Sequence, residues 1–382
     1  LTNQIINQAV RAGASDIHIE PHEKYLRIRY RIDGVLHEVM QHPIDAHPAL
    51  SSRIKVMANM DIAERRLPQD GRTTLNIEDS IIDVRVATVP TSYGEKITMR
   101  LLNRNEKFFT LTELGFNQKE LEKYKKTIQL PYGFVLISGP TGSGKSTTLY
   151  VSLDMLNEPD RNIITMEDPI ERKIEGVTQV QVNKKAGITF ASGLRSILRN
   201  DPDIIMVGEI RDYETSRIAV ESALTGHIVF STIHTNDAAG AITRLIDMGV
   251  EPYLISSSLV GVVAQRLVRV LCEECRQLVT VKRQYILNMV PDFPLDEDEE
   301  EIKLYKAKGC PYCNNTGYKG RIGIFEFLNV TETIQKLMLM RASAKQIRDI
   351  AIKEGMLTMR LNGFLKARKG ITSIDEVLRV TI

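Results

Sequence analysis

The sequence predicts an α/β protein with a parallel-sheet core, on three observations. Short, mostly apolar runs recur at residues 134–137, 162–166, 204–207 and 227–231, separated by helix-compatible segments such as 191–199 and 214–224. This is the pattern of parallel strands covered on both faces by their crossover helices. The first run leads directly into Gly139-Pro140-Thr141-Gly142-Ser143-Gly144-Lys145-Ser146-Thr147, and the next two lead into the carboxylates Glu167 and Glu209. Ligands of such sheets sit at those carboxyl ends.

Taken in order, the first hundred residues read as a small α+β domain, with strands at 16–20, 25–31, 35–39, 81–88 and 97–102 and one or two helices. Asp33-Gly34 marks a hairpin turn between the second and third strands. Alternation places Arg27, Arg29 and Arg31 on one strand face, where a solvated surface is the expected role. Arg85 and Arg100 stand on strands among apolar neighbours, and an arginine there calls for an anionic partner. A polar cluster after Asn103 marks a linker over 104–117, and a helix is expected over 114–129.

The glycine-rich segment between the 134–137 strand and the following helix has the features of a phosphate-binding loop. Its glycines, Gly139, Gly142 and Gly144, let successive backbone N–H groups turn inward on an anion, and the helix adds its positive end. Lys145 is placed to reach the β- and γ-phosphates, and the Ser146 hydroxyl to hold Mg²⁺. An ordinary glycine-rich turn is the alternative, but the strand before and the helix after argue against it. The implied ligand is a nucleoside triphosphate.

The strand ends supply further chemistry. Glu209 is the stronger candidate for metal and water activation and Glu167 a second base, since a carboxylate just past such a strand orients the attacking water or the metal shell. A helix cap or solvated carboxylate is the plainer alternative for each, yet two at successive strand ends favour a shared site. His234, beyond the 227–231 strand, is placed to sense the γ-phosphate.

All four cysteines fall into two pairs, Cys272/Cys275 and Cys310/Cys313. Two CxxC knuckles suit a closed tetrahedral Zn²⁺ site, better than disulfides in a reducing compartment. The wide spacing predicts a protruding module, and the acidic run over 292–301 inside it reads as a solvated loop. A carboxy-terminal helical subdomain follows, with helices at 334–341, 344–354, 359–369 and 375–379.

Composition is that of an ordinary globular chain: 382 residues, 43% hydrophobic, 26% charged and a net charge of +2. Length allows two or three domains, and the near-neutral balance gives no broad nucleic-acid footprint. No apolar run reaches bilayer length and the start has no signal pattern, so a cytoplasmic protein is expected. The first residue is Leu, and a longer natural chain is expected upstream.

The segments GPTGSGKSTT, ITMEDPIE, GLRSILRNDPDIIMVGEIRD and TGHIVFSTIHTNDA resemble, in that order, the Walker A, Asp box, Walker B and His box of the secretion ATPases. SDIHIEP and RRLPQDGR resemble that family's smaller domain, so the likeness spans nearly the whole chain. The cysteine insert and the terminal ITSIDEVLRVTI are most similar to the type II secretion assembly branch, with the type IV pilus extension branch close behind.

The resemblance implies a small PAS-like α+β domain over 1–103, a RecA-like ATPase domain over 118–268, a tetracysteine zinc module over 269–328 and a helical subdomain over 329–382. It also implies that Arg85, Arg100, Arg195 and Arg199 approach the nucleotide across a domain or subunit boundary, in a hexameric ring whose small domain rocks on the large one. Structural ion pairs are the alternative for each arginine. Such a motor drives pilus-like fibre assembly and protein export at the inner membrane, bound there through a bitopic recruiting protein. Rival readings are a pilus extension or DNA-uptake motor, a nucleic-acid translocase with salt-dependent DNA binding, and a nucleotide-gated scaffold in which Glu209 is dispensable.

Overall fold

The computed structural model describes residues 1–78, 80–103, 109–296 and 298–381. The chain divides into two compact units, Leu1–Lys107 and Phe108–Ile382. The first residues of the expected linker, 104–108, lie outside the described residues.

The amino-terminal unit is one antiparallel sheet with helices on one face. Its elements are α1 (Thr2–Arg11), β1 (Ala14–Pro21), β2 (Tyr25–Ile32), β3 (Val35–Pro43), α2 (His47–Met57), β4 (Gln69–Ile77), β5 (Ser80–Thr91) and β6 (Gly94–Asn103), with strand order β3-β2-β1-β6-β5-β4. Strict alternation puts Leu26, Ile28 and Tyr30 into a core shared with Ile17, Ile19, Val84 and Ile97, closed by Ile5 and Ile6 of α1 and Leu50 and Ile54 of α2. The Tyr30 hydroxyl, buried there, donates to the Ile5 carbonyl at 2.7 Å.

The opposite face carries the arginines, and it corrects the expectation of a plainly solvated surface. Glu20 on β1 accepts from Arg29 Nη2 at 2.8 Å and Arg27 Nε at 3.1 Å, with Lys96 Nζ of β6 at 3.1 Å. Burial works to raise the Glu20 pKa, but Arg29 and Lys96 outweigh it and hold the carboxyl at about 2. Cross-strand neighbours, which sequence alternation does not specify, supply these partners. Strand β4 was not among the expected strands; its register, Gln69 opposite Thr88 through Ile77 opposite Ser80, completes the sheet.

In the second unit the seven-stranded sheet has the order β15-β12-β7-β11-β10-β8-β9. The strands nearest the site are β7 (Gly133–Ser138), β8 (Ile163–Glu167), β9 (Thr178–Gln181), β10 (Ile204–Val207) and β11 (Ile228–Ile233), all mutually parallel. Helix α3 (Gln118–Ile128) and α4 (Lys145–Leu156) cover one face, where Val135, Ile137, Met206 and Phe230 are buried. Helices α5 (Phe190–Ile197), α6 (Tyr213–Leu224), α7 (Ala238–Asp247) and α8 (Pro252–Ser258) cover the other, over Leu136, Val207 and Val229. Burial on both faces explains why these strands read as unbroken apolar runs. Helix α3 is shorter than expected because the Asn117 side chain caps it, accepting from Glu120 N at 2.9 Å.

Strand β12 (Leu259–Leu271) continues the sheet beyond β7 and pairs antiparallel with β15 (Tyr318–Asn329) along almost its whole length. Residues from Tyr318 onward, read from sequence as part of the cysteine module, therefore form the sheet edge. Between them, β13 (Gln277–Lys282), α9 (Arg283–Met289) and β14 (Glu301–Lys306) make a small outlying unit. It does not stand clear of the protein: Ile286, Val290, Phe293, Ile302 and Leu304 bury against Phe364 of α12 (Met359–Arg368) and Val377 of α13 (Ile374–Val380). The acidic run is likewise anchored, with Arg360 Nε 2.9 Å from Asp292 and Arg368 Nη2 3.0 Å from Glu299. Phe293 sits in the core, and the loop cannot be freely solvated. Glu297 lies outside the described residues. Helices α10 (Glu332–Leu339) and α11 (Ala344–Lys353) complete the tail.

Candidate active site

The loop between β7 and α4 is built by backbone constraint. Gly139 has φ 148°, and a Cβ there would lie 2.5 Å from the Gln265 carbonyl oxygen, so only glycine fits. Gly144, at φ 88°, precedes α4 in the left-handed region and aims the first turn of the helix, with its unpaired N–H groups, into the loop. Lys145 Nζ donates to the carbonyls of Gly139 at 2.8 Å and Pro140 at 3.0 Å. Burial pushes the Lys145 pKa down from its ordinary value, and the charge of Glu209 opposes that shift. Ser143 Oγ is buried without a hydrogen-bond partner among the described residues, while Thr141, Gly142, Ser146 and Thr147 are exposed.

One residue of this loop's support was not anticipated. Gln265 of β12 donates from Nε2 to the Ser143 carbonyl at 2.7 Å and accepts from Thr148 Oγ1 at 2.8 Å, pinning the middle of the loop and the first turn of α4 to the strand next to β7. The signal was available: Gln265 is a lone amide in the apolar stretch Val262-Val263-Ala264-Gln265, and a buried amide must find partners.

Strand β11 lies between β7 and β10, so the ends of all three converge beside the loop. Glu209, two residues past β10, meets Arg211 Nη2 at 2.5 Å and His234 Nε2 at 3.7 Å. The hydrogen bond from Arg211 to Glu209 raises the Arg211 pKa. His234 follows β11; burial lowers its pKa, the positive charge of Lys145 lowers it further, and Glu209 opposes both. Its imidazole is therefore mainly neutral at pH 7. The ends are tied together by Thr232 Oγ1 donating to the Gly208 carbonyl at 2.7 Å and Ser138 Oγ donating to the Thr235 carbonyl at 3.1 Å. Lys145, Glu209, His234 and Arg211 thus lie together at these strand ends.

Glu167 is differently placed. It is buried at the end of β8 and accepts from Tyr150 hydroxyl at 2.5 Å, Thr165 Oγ1 at 2.7 Å and Gln179 Nε2 at 2.9 Å. Three donors occupy the carboxylate, which suits a fixed brace better than a mobile base. Arg195 on α5 pairs with Glu214 at 2.6 Å, and Arg199 Nη1 donates to the Arg195 carbonyl at 2.9 Å. Both are exposed. Arg85 and Arg100 lie in the first unit, directly opposite one another on β5 and β6, and Arg100 Nε donates to Asp16 Oδ1 at 3.0 Å.

The four cysteine sulfurs lie within 4.8 Å of one another and form no disulfide. Their separations, 3.9 Å for Cys272–Cys310 and 3.8 Å for both Cys275–Cys313 and Cys310–Cys313, match the edges of a tetrahedron whose centre is about 2.3 Å from each sulfur, the zinc–thiolate distance. Backbone N–H groups also point at the sulfurs: Gly309 N to Cys275 at 3.3 Å, and Cys310 N and Gly317 N to Cys313 at 3.2 Å. Against the upward push of burial, those N–H donors hold Cys313 down to about 6. The donor set and its supporting amides fit zinc.

Fold and site together define a P-loop nucleotide-binding protein with a RecA-like parallel sheet. Residues 1–379 match the family model described as Type II/IV secretion system protein, and the chain belongs to that family. It is 50% identical over 381 residues to the type II secretion system ATPase E of Vibrio cholerae, covering 100% of this chain and 75% of that one. Against the type IV pilus assembly ATPase PilB of Myxococcus xanthus the identity is 46% over 381 residues, covering 99% of this chain and 67% of the other. Among solved structures, the fold is similar to the ATPase DotB of Legionella pneumophila, with TM-score 0.70 and 21% identity over 99% of this chain and 94% of that one. The pilus retraction motor PilT with bound ADP gives TM-score 0.61 and 23% identity over 99% and 96%. No helix among the described residues is long and apolar enough to cross a membrane.

Proposed function

We propose that the protein is the ATP-hydrolysing motor of a type II secretion system, powering assembly of a pilus-like fibre and protein export from the cytoplasmic face of the inner membrane. The observation that carries this is the loop of Gly139 to Thr147 with Lys145, Glu209 and His234 gathered at its mouth, in a chain half identical to a type II secretion ATPase over its whole length. The Ser143 hydroxyl, buried without a hydrogen-bond partner among the described residues, and a buried lysine that donates to backbone carbonyls both suit a polyanionic ligand.

In this reading Lys145 leaves the Gly139 and Pro140 carbonyls for the phosphates, and Ser146 would hold Mg²⁺, whose charge would offset that of the phosphate oxygens. Glu209 orients the attacking water once Arg211 releases it. His234, neutral and beside Glu209, offers a hydrogen bond to the terminal phosphate and so reports its presence to β11. Glu167 fixes the end of β8 rather than taking the proton. Arg85, Arg100, Arg195 and Arg199 deliver positive charge to the nucleotide from a neighbouring body, in a hexameric ring held at the membrane by a recruiting protein. The four cysteines hold a structural zinc ion.

Phosphate release by the wild type, Lys145→Ala and Glu209→Gln, each with Mg²⁺ and with EDTA, tests the chemistry. Equal rates in all three proteins would overturn it. A second reading, a type IV pilus extension motor, is favoured by the 46% identity to a pilus assembly ATPase. Restoring secretion or piliation in strains lacking one motor or the other decides between them.

A further inference from the structure

The turn that leads from His234 into α7 is held at every residue from Thr235 to Ala238, each time by a different element. The Thr235 carbonyl accepts from Ser138 Oγ of β7 at 3.1 Å, and Thr235 Oγ1 donates to the Asp237 carbonyl at 3.0 Å. Asn236 Oδ1 accepts from Arg266 Nη2 of β12 at 3.1 Å, and Ala238 N donates to Glu326 Oε1 of β15 at 2.9 Å. Asp237 caps α7, its Oδ1 accepting from Gly240 N at 2.7 Å, while its Oδ2 accepts from Arg348 Nη2 of α11. That arginine comes from more than a hundred residues further along the chain. Its neighbours Ile347 and Ala351 are buried in the same core as Ala241 and Leu245 of α7, which fixes α11 against the turn. Arg348 also balances charge. Glu326 is buried, with its Oε2 accepting from Met359 N of α12 at 3.3 Å, so that it and Asp237 place two carboxylates at the start of α7. Burial raises the Glu326 pKa, the charge of Asp237 adds to that, and Arg348 opposes both.

We propose that Arg348, acting through Asp237, is a positioning residue for ATP hydrolysis: it holds the turn that keeps His234 beside Glu209 at the mouth of the phosphate loop. The proposal rests on the motor reading above and extends its machinery to a helix of the carboxy-terminal tail. A guanidinium on a carboxylate whose other oxygen is already bound fixes direction as well as distance. Removing it leaves Asp237 and Glu326 to repel one another at one helix start, and the turn relaxes just after His234. A displacement of about 1 Å in a group that must meet the reacting phosphate costs rate, even when it arises far from the chemistry. Nucleotide affinity rests mainly on Lys145 and the N–H groups of the β7–α4 loop. The loss therefore falls on turnover.

The test uses the full chain at a concentration where the wild type turns over. Arg348→Ala, Arg348→Lys and Asp237→Ser are compared with Glu354→Gln, which alters an exposed hydrogen bond from Thr331 at the carboxyl end of α11. Asp237→Ser keeps a capping oxygen for Gly240 N and removes the partner of Arg348. Steady-state hydrolysis of Mg-ATP is read together with equilibrium binding of a non-hydrolysable Mg-ATP analogue, and Arg348→Ala and Asp237→Ser are each repeated in a His234→Ala background. Arg348→Ala and Asp237→Ser are expected to lower kcat about tenfold, with affinity for the analogue unchanged within about twofold. Arg348→Lys recovers part of the loss, because it restores charge without the fork. In the His234→Ala background the same substitutions should change kcat by less than about twofold, because the group they position is gone. Circular dichroism shows which variants are folded, and Asp237→Ser carries the comparison where Arg348→Ala is not. An equal loss of kcat in both backgrounds would mean a general brace and overturns the proposal. So does a kcat for Arg348→Ala and Asp237→Ser equal to that of Glu354→Gln while Lys145→Ala is inactive, and in that case the motor reading stands. If Lys145→Ala hydrolyses ATP at the wild-type rate, the motor reading fails and the positioning role fails with it.

Discussion

The two sheets of this molecule show their functional residues in opposite ways. In the second unit the sheet is buried on both faces, so chemistry is confined to the strand ends, where it follows each apolar run along the chain: Lys145 after β7, Glu209 after β10, His234 after β11. In the first unit only one face is buried, and the charged residues of the other acquire meaning across the strands, through pairings such as Arg100 with Asp16 or Glu20 with Arg29. The first kind of site is contiguous in sequence and the second is made by register.

The largest expected effect sharpens that contrast within the second unit. Lys145→Ala and Glu209→Gln should each lower turnover by at least about 100-fold with folding intact, since in the proposed reaction Lys145 meets the phosphate charge and Glu209 orients the attacking water. Glu167→Gln should behave differently. It disturbs a carboxylate satisfied by Tyr150, Thr165 and Gln179, and is expected to lower stability by about 1–3 kcal/mol with kcat within about tenfold of wild type. Thermal unfolding beside steady-state kinetics separates the two; a Glu167→Gln protein as inactive as Glu209→Gln would restore Glu167 as a base.

Next in size is the cysteine site. One zinc ion per chain is expected by elemental analysis, and Cys310→Ser should lower stability by about 3–5 kcal/mol, with the loss of hydrogen-exchange protection centred on β13, β14 and the contacts of Phe364 and Val377. Turnover chemistry at the loop should persist at temperatures where the variant is folded. A chain that carries no zinc and is indifferent to the substitution would refute a structural role.

Gln265→Ala should have a smaller effect, because it leaves the Ser143 carbonyl and the Thr148 hydroxyl without their shared partner. A loss of about 1–3 kcal/mol is expected, with weaker nucleotide binding measured by calorimetry. Unchanged affinity and stability would mean that the loop holds its shape without β12.

These cases show what the sequence makes legible. The parallel sheet, the phosphate loop, Glu209, His234 and the four cysteines are readable because each lies within a few residues of the feature that explains it. Strand β4 is not, since only the pairing of 69–77 with 80–88 makes it part of the first unit's sheet. Gln265 is contributed to the loop from more than a hundred residues away. The anchoring of the acidic run escapes a reading by charge, because its counter-ions Arg360 and Arg368 come from a helix beyond the cysteine module. The resemblance implies a cysteine module over 269–328, whereas the pairing of β15 with β12 makes Tyr318–Asn329 part of the sheet.

The last effect concerns protons, and its sign differs from one buried carboxyl to another. In the second unit, Glu120 of α3 accepts from Asn362 Nδ2 at 2.8 Å while Lys366 Nζ donates to Asn362 Oδ1 at 2.5 Å, and the other Glu120 oxygen is buried with no hydrogen-bond partner among the described residues. Burial pushes Glu120 up to about 7, against the opposing charge of Lys366, and burial brings Lys366 down to about 8. A carboxyl whose folded pKa exceeds its unfolded value binds its proton more tightly when native, so its contribution to stability falls as pH rises from about 4.5 to about 7 and is level above that. Glu20 in the first unit runs the other way: its pKa of about 2 makes its contribution full above about 4.5 and lost as pH falls through 2. Glu376 of α13, also held at about 2 by Arg379 and Arg269 against burial, titrates with Glu20, so neither contributes to a change between about pH 5 and 7.5. Denaturant unfolding of the wild type and Glu120→Gln at pH 5 and pH 7.5 isolates the Glu120 contribution. The wild type should lose about 1–3 kcal/mol more than the variant over that interval, and parallel slopes would show that Glu120 titrates as an ordinary carboxyl despite its burial.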